Sequence, residues 1–133
     1  MGTNYYLIRN ICGSCGRGDE RMHIGKSSAG WCFSLHVEHE DHPRDLAEWR
    51  QAWCEPHSEI RDEYGKLVAM DEMDRIITER SWKPRTDGYD SAEWYRSNHA
   101  EPGPQHLARH TLDSRHCIGH GDGTYDLIVG EFS

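Results

Sequence analysis

No run of about 18 apolar residues occurs in this chain of 133 residues, so no membrane-spanning helix is expected. The first stretch, MGTNYYLIRN, lacks the charged and apolar regions of a secretory signal. It begins Met-Gly, but Tyr6 stands where a myristoylation motif requires Ser or Thr. With no export signal, the five cysteines, an odd count, are expected as thiols or metal ligands rather than disulfides. Basic runs are also missing, and the net charge is −8 with histidines neutral, which disfavours a partner made of long nucleic acid. Apolar residues are scarce at 35%, with only two Phe, and mean hydropathy is −0.90. The core must lean on five Trp and six Tyr, and a metal staple is a natural supplement to so little apolar mass. No repeat, low-complexity tract or long linker divides the chain, so residues 1–133 are expected to form one zinc-stabilised domain in the cytoplasm.

The chain is rich in histidine, with ten, which gives it a charge that changes between about pH 5 and 8. Its most informative stretch runs from Ile11 to Val37. Cys12-x-x-Cys15 is followed by Gly16, then by His23 and His36, in the pattern CxxC-x7-H-x12-H. Two thiolates from one tight turn and two imidazoles make a zinc-type ligand set, so Cys12, Cys15, His23 and His36 are the expected metal ligands. Cys32 is the substitute for His36, because alternation places both on one face of a strand. Four protein ligands would saturate the zinc and make it structural. Between the histidines lies Gly25-Lys26-Ser27-Ser28-Ala29-Gly30, read here as a loop. It is not a Walker A motif, since Glu20 occupies the place of the required glycine and a strand follows. It reads instead as a nest of backbone N–H groups, with Lys26, Ser27 and Ser28, suited to an anion.

Residue pattern outlines the remainder. Strands are expected at Asn4–Arg9, Arg21–Ile24 and Trp31–Val37, the last being central because Trp31, Phe33, Leu35 and Val37 share one apolar face. Helices are expected at Pro43–Trp53, Asp71–Arg80 and Ser91–Asn98, with a hairpin at Glu59–Val68 turning near Gly65. Gln105–Leu112 reads as one or two helical turns. Arg115–Ile118 and Thr124–Val129 read as paired strands around the glycine-rich loop Gly119–Gly123. The expected fold is α+β: a small antiparallel sheet with a zinc-ribbon-like N-terminal knuckle and two or three short helices.

The Cys12–Val37 stretch, with its CxxC turn and HIGKSSAGW segment, and the tail CIGHGDGTYDLIVGEFS resemble small zinc-ribbon-like proteins of phages and prophages. The resemblance covers the two ends of the chain. It implies a host bacterial cytosol and carries no activity with it.

The functional reading rests on two glycine-rich segments. Lys26, Ser27, Ser28 and Trp31 at the first, and His120 and Tyr125 at the second, are the candidate ligand-binding residues. Together they suit a phosphorylated small molecule such as a nucleotide, with Trp31 or Tyr125 stacking on a base. In a phage setting such a binder could sequester a host immune signalling nucleotide. Two other classes stand beside it. One is a small metal-dependent hydrolase or nuclease, with His120 and Asp122 as base and orienter or a second metal at His116, Cys117 and His120. The other is an acidic protein inhibitor of a host defence enzyme. Expected partners are thus a small anion or nucleotide, a host protein, or a second copy of the chain.

Overall fold

A computed structural model describes residues 2–11, 14–15, 18, 20–79, 91–103, 107–110, 117–120 and 125–132, with the backbone only at 117–120. The fold is α+β. Among the described residues nine strands and three helices follow in the order β1 (Gly2–Arg9), β2 (Glu20–Ser28), β3 (Phe33–Val37), α1 (Leu46–Trp53), β4 (Glu59–Asp62), β5 (Leu67–Val68), α2 (Met70–Thr78), α3 (Ala92–Ser97), β6 (Ala100–Pro102), β7 (Ala108–His110), β8 (Cys117–His120) and β9 (Tyr125–Val129). Seven strands form one sheet in the order β5-β4-β1-β2-β3-β9-β8, and β6 and β7 form a two-stranded ribbon. Among the described residues no helix is long and apolar enough to cross a membrane.

Alternation along β3 assigns the sheet two unlike faces. Phe33, Leu35 and Val37 point into the core with Leu7 and Ile24, and all five are essentially unexposed. Helices α1 and α2 cover this face through Leu46, Trp49, Trp53, Met73 and Ile77. Leu46, Trp49 and Trp53, at i, i+3 and i+7, form the buried stripe of α1, and Asp45 starts the helix by accepting the Glu48 N–H at 2.8 Å. Ser34 and His36, both buried, carry the opposite face, and the Trp49 indole fixes the backbone there by donating to the His36 carbonyl at 2.8 Å.

Three expectations are corrected. The sheet is mixed rather than antiparallel, because β9 lies parallel to β3, with Phe33 opposite Tyr125 and Val37 opposite Val129. Gln105–Leu112 is not helical where it is described: Ala108–His110 is strand β7, paired with β6, and Trp31 bridges to Ala108. The segment from Gly25 to Ser28 is not a loop. It continues β2, paired to β1 as far as Gly2 opposite Ser28, and Gly25 and Lys26 also pair with Leu35 and Ser34 of β3. A nest needs free amides, and here Gly25 and Lys26 face ladders on both sides while Ser27 and Ser28 face the β1 ladder.

The reason β2 runs so far is a bulge. Tyr5 lies opposite Gly25, yet Tyr6 lies opposite His23, so Ile24 is an extra residue on β2. In a regular strand residues 23 and 26 would sit on opposite faces; one inserted residue returns them to the same face. Gly25 sits where the bulge presses β2 onto β3. A Cβ there would overlap the Ser34 carbonyl oxygen and come within 2.6 Å of the Phe33 ring. Gly25→Ala is therefore expected to destabilise the fold by roughly 3 kcal/mol, the upper end of ordinary over-packing costs. Urea midpoints of the two proteins measure this, and an unchanged midpoint would show that the strands separate freely at this point.

Candidate functional site

The polar face of the sheet is where the candidate residues gather. Asn4 and Tyr6 arrive on β1, His23, Lys26 and Ser28 on β2, Ser34 and His36 on β3, and Asp126 and Ile128 on β9. Two cavities open over this face, and Phe132 lines both.

The larger, about 600 Å³, is a cleft lined by Tyr6, His23, His36, Glu38, His42 and Phe132, among others. His23 and His36 approach through their Nδ1 atoms at 3.2 Å. The second nitrogen of each ring is engaged elsewhere: His23 Nε2 with Asn4 Oδ1 at 2.8 Å, and His36 Nε2 with Glu38 Oε1 at 2.9 Å. With the Asn4 amide oriented as here, both of those partners present oxygen, which assigns the hydrogen of each ring to Nε2. Phe132 packs edge-on against His23, with centroids 4.9 Å apart. His42, on the connection between β3 and α1, lies against His36 at 4.6 Å and edge-on to Trp49 at 5.1 Å. Its Nε2 is buried without a hydrogen-bond partner among the described residues. Arg21 covers the Tyr6 ring at 3.8 Å.

The smaller cavity, about 290 Å³, is lined by Lys26, Ser28, Trp31, Ser34, His110 and Phe132, with Ile128. Trp31 stacks on His110 with centroids 4.9 Å apart and planes at 22°, and His110 Nε2 meets Ser34 Oγ at 2.7 Å. The fully buried Asp126 carboxylate accepts the His110 backbone N–H at 3.1 Å, and the Arg109 guanidinium lies 3.7 Å from its other oxygen.

Of the residues singled out from sequence, Lys26, Ser28 and Trp31 converge on the smaller cavity, and His23 and His36 converge in the cleft. Ser27 lines neither cavity. Tyr125 is 6% exposed and packs in the hydrophobic core. Cys12 lies outside the described residues, Cys15 is an exposed free thiol and Cys32 is fully buried. His120 is described through its backbone, which pairs with Asp126; residues 121–124, and with them most of the second glycine-rich loop, lie outside the described residues. So does His116. Among the described residues no group of three or more His, Cys, Asp or Glu is arranged to hold a metal ion. Sequence reading missed His42 and His110. The first stands in an irregular connection and the second in a stretch mistaken for helix, so neither periodicity nor motif marked them.

Burial holds three of these imidazoles neutral. The pKa of His23 is lowered to about 4, first by desolvation and then by the neighbouring His36, Lys26 and Arg21. His42 is lowered by desolvation and by His36, against the pull of Glu38 and Glu20. His110 is lowered by desolvation, against the pull of Asp126. Between the folded and unfolded pKa values the unfolded chain binds a proton that the folded one does not, so stability rises with pH there. With a chelator present, the histidine contribution is expected to be complete above about pH 6.5 and to fade as pH falls toward 4. For His23 it amounts to roughly 2 kcal/mol once its partial exposure is allowed for. Denaturation of the wild type and His23→Gln across this window isolates it from the carboxylates; parallel profiles would show that His23 is not held neutral. No family model, curated protein or solved structure matches this chain, so these side chains alone carry the assignment of its chemistry.

Proposed function

We propose that the protein is a binder of a phosphorylated small molecule of the nucleotide class, and that the ligand sits in the cavity formed by Lys26, Ser28, Trp31 and His110. The observation that carries this reading is the bulge in β2, which puts the Lys26 ammonium on the same face as the Trp31–His110 stack. A cation and hydroxyls beside a flat apolar wall match a phosphate beside a base. The backbone nest expected from the sequence plays no part. Phosphate is held by side chains, Lys26 Nζ and Ser28 Oγ, with the Trp31–His110 stack as the flat wall beside it. A cavity of about 290 Å³ accommodates a mononucleotide in part, with its remainder reaching past Phe132 toward the cleft. The acidic balance of the chain, −8 overall, repels long polyanions and leaves a small ligand tolerated. In a phage setting, tight binding without turnover would sequester a host signalling nucleotide.

Lys26→Ala is expected to weaken nucleotide binding by about 1.5–3 kcal/mol, the range for a hydrogen bond to a charged group. Thermal stability should stay within a degree or two, because Lys26 is half-buried and lies beside a cavity. Calorimetry against linear and cyclic nucleotides, with Trp31→Ala as a second variant, provides the measurement. No heat with any nucleotide at millimolar concentration, or unchanged affinity in Lys26→Ala, would remove this reading and favour the acidic-surface inhibitor.

A further inference from the structure

The His23–His36 contact is electrostatically incomplete as a pair of neutral rings. Each Nε2 carries its hydrogen toward an acceptor, Asn4 Oδ1 in one case and Glu38 Oε1 in the other. Each Nδ1 therefore presents a lone pair, and the two lone pairs face each other at 3.2 Å. With these tautomers, such a contact is satisfied by a positive centre between the two rings. Only a proton or a metal ion fits there. The distances suit a metal: two nitrogens each about 2.0–2.1 Å from one zinc and 3.2 Å apart subtend roughly 100° at the ion, near the tetrahedral angle.

The surroundings point the same way. Metal-bound imidazoles characteristically donate their second N–H to a carboxylate or carbonyl, which fixes tautomer and ring orientation. Asn4 and Glu38 occupy those two places, and Asn4 is itself held by the bond from its N–H to Glu63 Oε1 at 2.9 Å. His42 supplies an independent sign. Its Nε2 is buried and without a hydrogen-bond partner among the described residues, in a ring 4.6 Å from His36. A buried polar atom left in this way calls for an occupant. Glu20 and Asp41 at the cleft wall add negative charge that favours a cation.

We infer that His23 and His36 form, through Nδ1, the bidentate core of a divalent transition-metal site in the cleft, with His42 as the third ligand and Asn4 and Glu38 as outer partners. This differs from a closed knuckle. His42 must turn its ring to complete the set, the cysteines are not required, and the remaining coordination positions open into a cleft of about 600 Å³. Imidazole nitrogens select zinc, nickel, cobalt or copper over magnesium and calcium. The ion is exchangeable and reachable by a ligand oxygen from the adjoining cavity, since Phe132 is shared by the two. The inference stands apart from nucleotide binding and holds whether or not a nucleotide binds.

The test uses the full chain, stripped with a chelator and titrated with Zn²⁺ and Co²⁺. One equivalent should bind, and bound Co²⁺ should show no thiolate charge-transfer band. Long-range ¹⁵N NMR of the wild type should show Nδ1 of two histidines shifting on Zn²⁺ addition while their Nε2 atoms stay protonated. His36→Gln should abolish binding, and Glu38→Gln should weaken it about 10–100-fold, the usual effect of losing an outer partner. Cys12→Ser with Cys15→Ser should leave the affinity unchanged. Three results would overturn the inference: no binding at micromolar metal, with NMR revealing a proton shared between the two rings; a thiolate band on cobalt binding; or loss of the metal in the double cysteine variant, which would restore the closed knuckle. The NMR readout on the wild type decides the matter even where a variant fails to fold.

Discussion

One extra residue in β2 governs what this molecule presents to its ligands. Ile24 occupies a bulge, and Gly25 beside it lets β2 press directly onto the Ser34 carbonyl of β3. Upstream of the bulge, His23 belongs to the polar face; downstream, Lys26 and Ser28 return to it. A sheet without the bulge would send Lys26 toward Phe33 and Leu35, where an ammonium has no partner and its desolvation would be prohibitive. The same device that keeps the core apolar therefore gathers a cation and an imidazole on one side. Glycine is required at this point by close approach rather than by a special backbone angle.

The two faces of the sheet differ in kind. One is closed by α1 and α2 and carries the aromatic and aliphatic mass that the composition makes scarce. The other is closed by short pieces: the ribbon of β6 and β7, the connection bearing His42, and Phe132. Polar groups on that face are held by pairwise contacts: Asn4 with His23, Glu38 with His36, Ser34 with His110 and Asp126 with the His110 amide. Such a network fixes ring orientations and tautomers while leaving solvent-filled space above them. Pre-set imidazoles next to open volume are what a binding surface needs, since little ordering remains when a ligand arrives.

The parts of this arrangement that were legible in the sequence follow local rules. The alternation of Phe33, Leu35 and Val37 identified β3 and its core face, the spacing of Leu46, Trp49 and Trp53 identified α1, and Ser91 marked the start of α3. His23 and His36, singled out from a metal-ligand spacing, are brought into contact by strand register. What misled was the meaning of glycine. Gly25 looked like the start of a loop, but its role is contact between strands, and that shows only once β3 is placed. Tyr125 follows a glycine-rich segment, and its strand turns it into the core. The parallel pairing of β3 and β9, and the involvement of His42 and His110, depend on contacts between residues far apart in the chain, for which no local pattern exists.

That parallel pairing has a consequence for how the molecule comes to exist on the ribosome. β3 is synthesised early, β9 some ninety residues later, and no contact between Phe33–Val37 and Tyr125–Val129 can form until the later strand emerges. Until then one edge of β3 has no neighbour on that side, and the wall supplied by Phe132 is missing. Closing so long a loop is slow compared with forming the β1–β2 hairpin or the helices. The helix-covered face can therefore consolidate first, and the polar face is completed last, by the strand that carries Asp126. A nascent chain halted before β9 would lack Tyr125 from its core as well as one wall of its cleft, with a naked strand edge open to pairing with other chains.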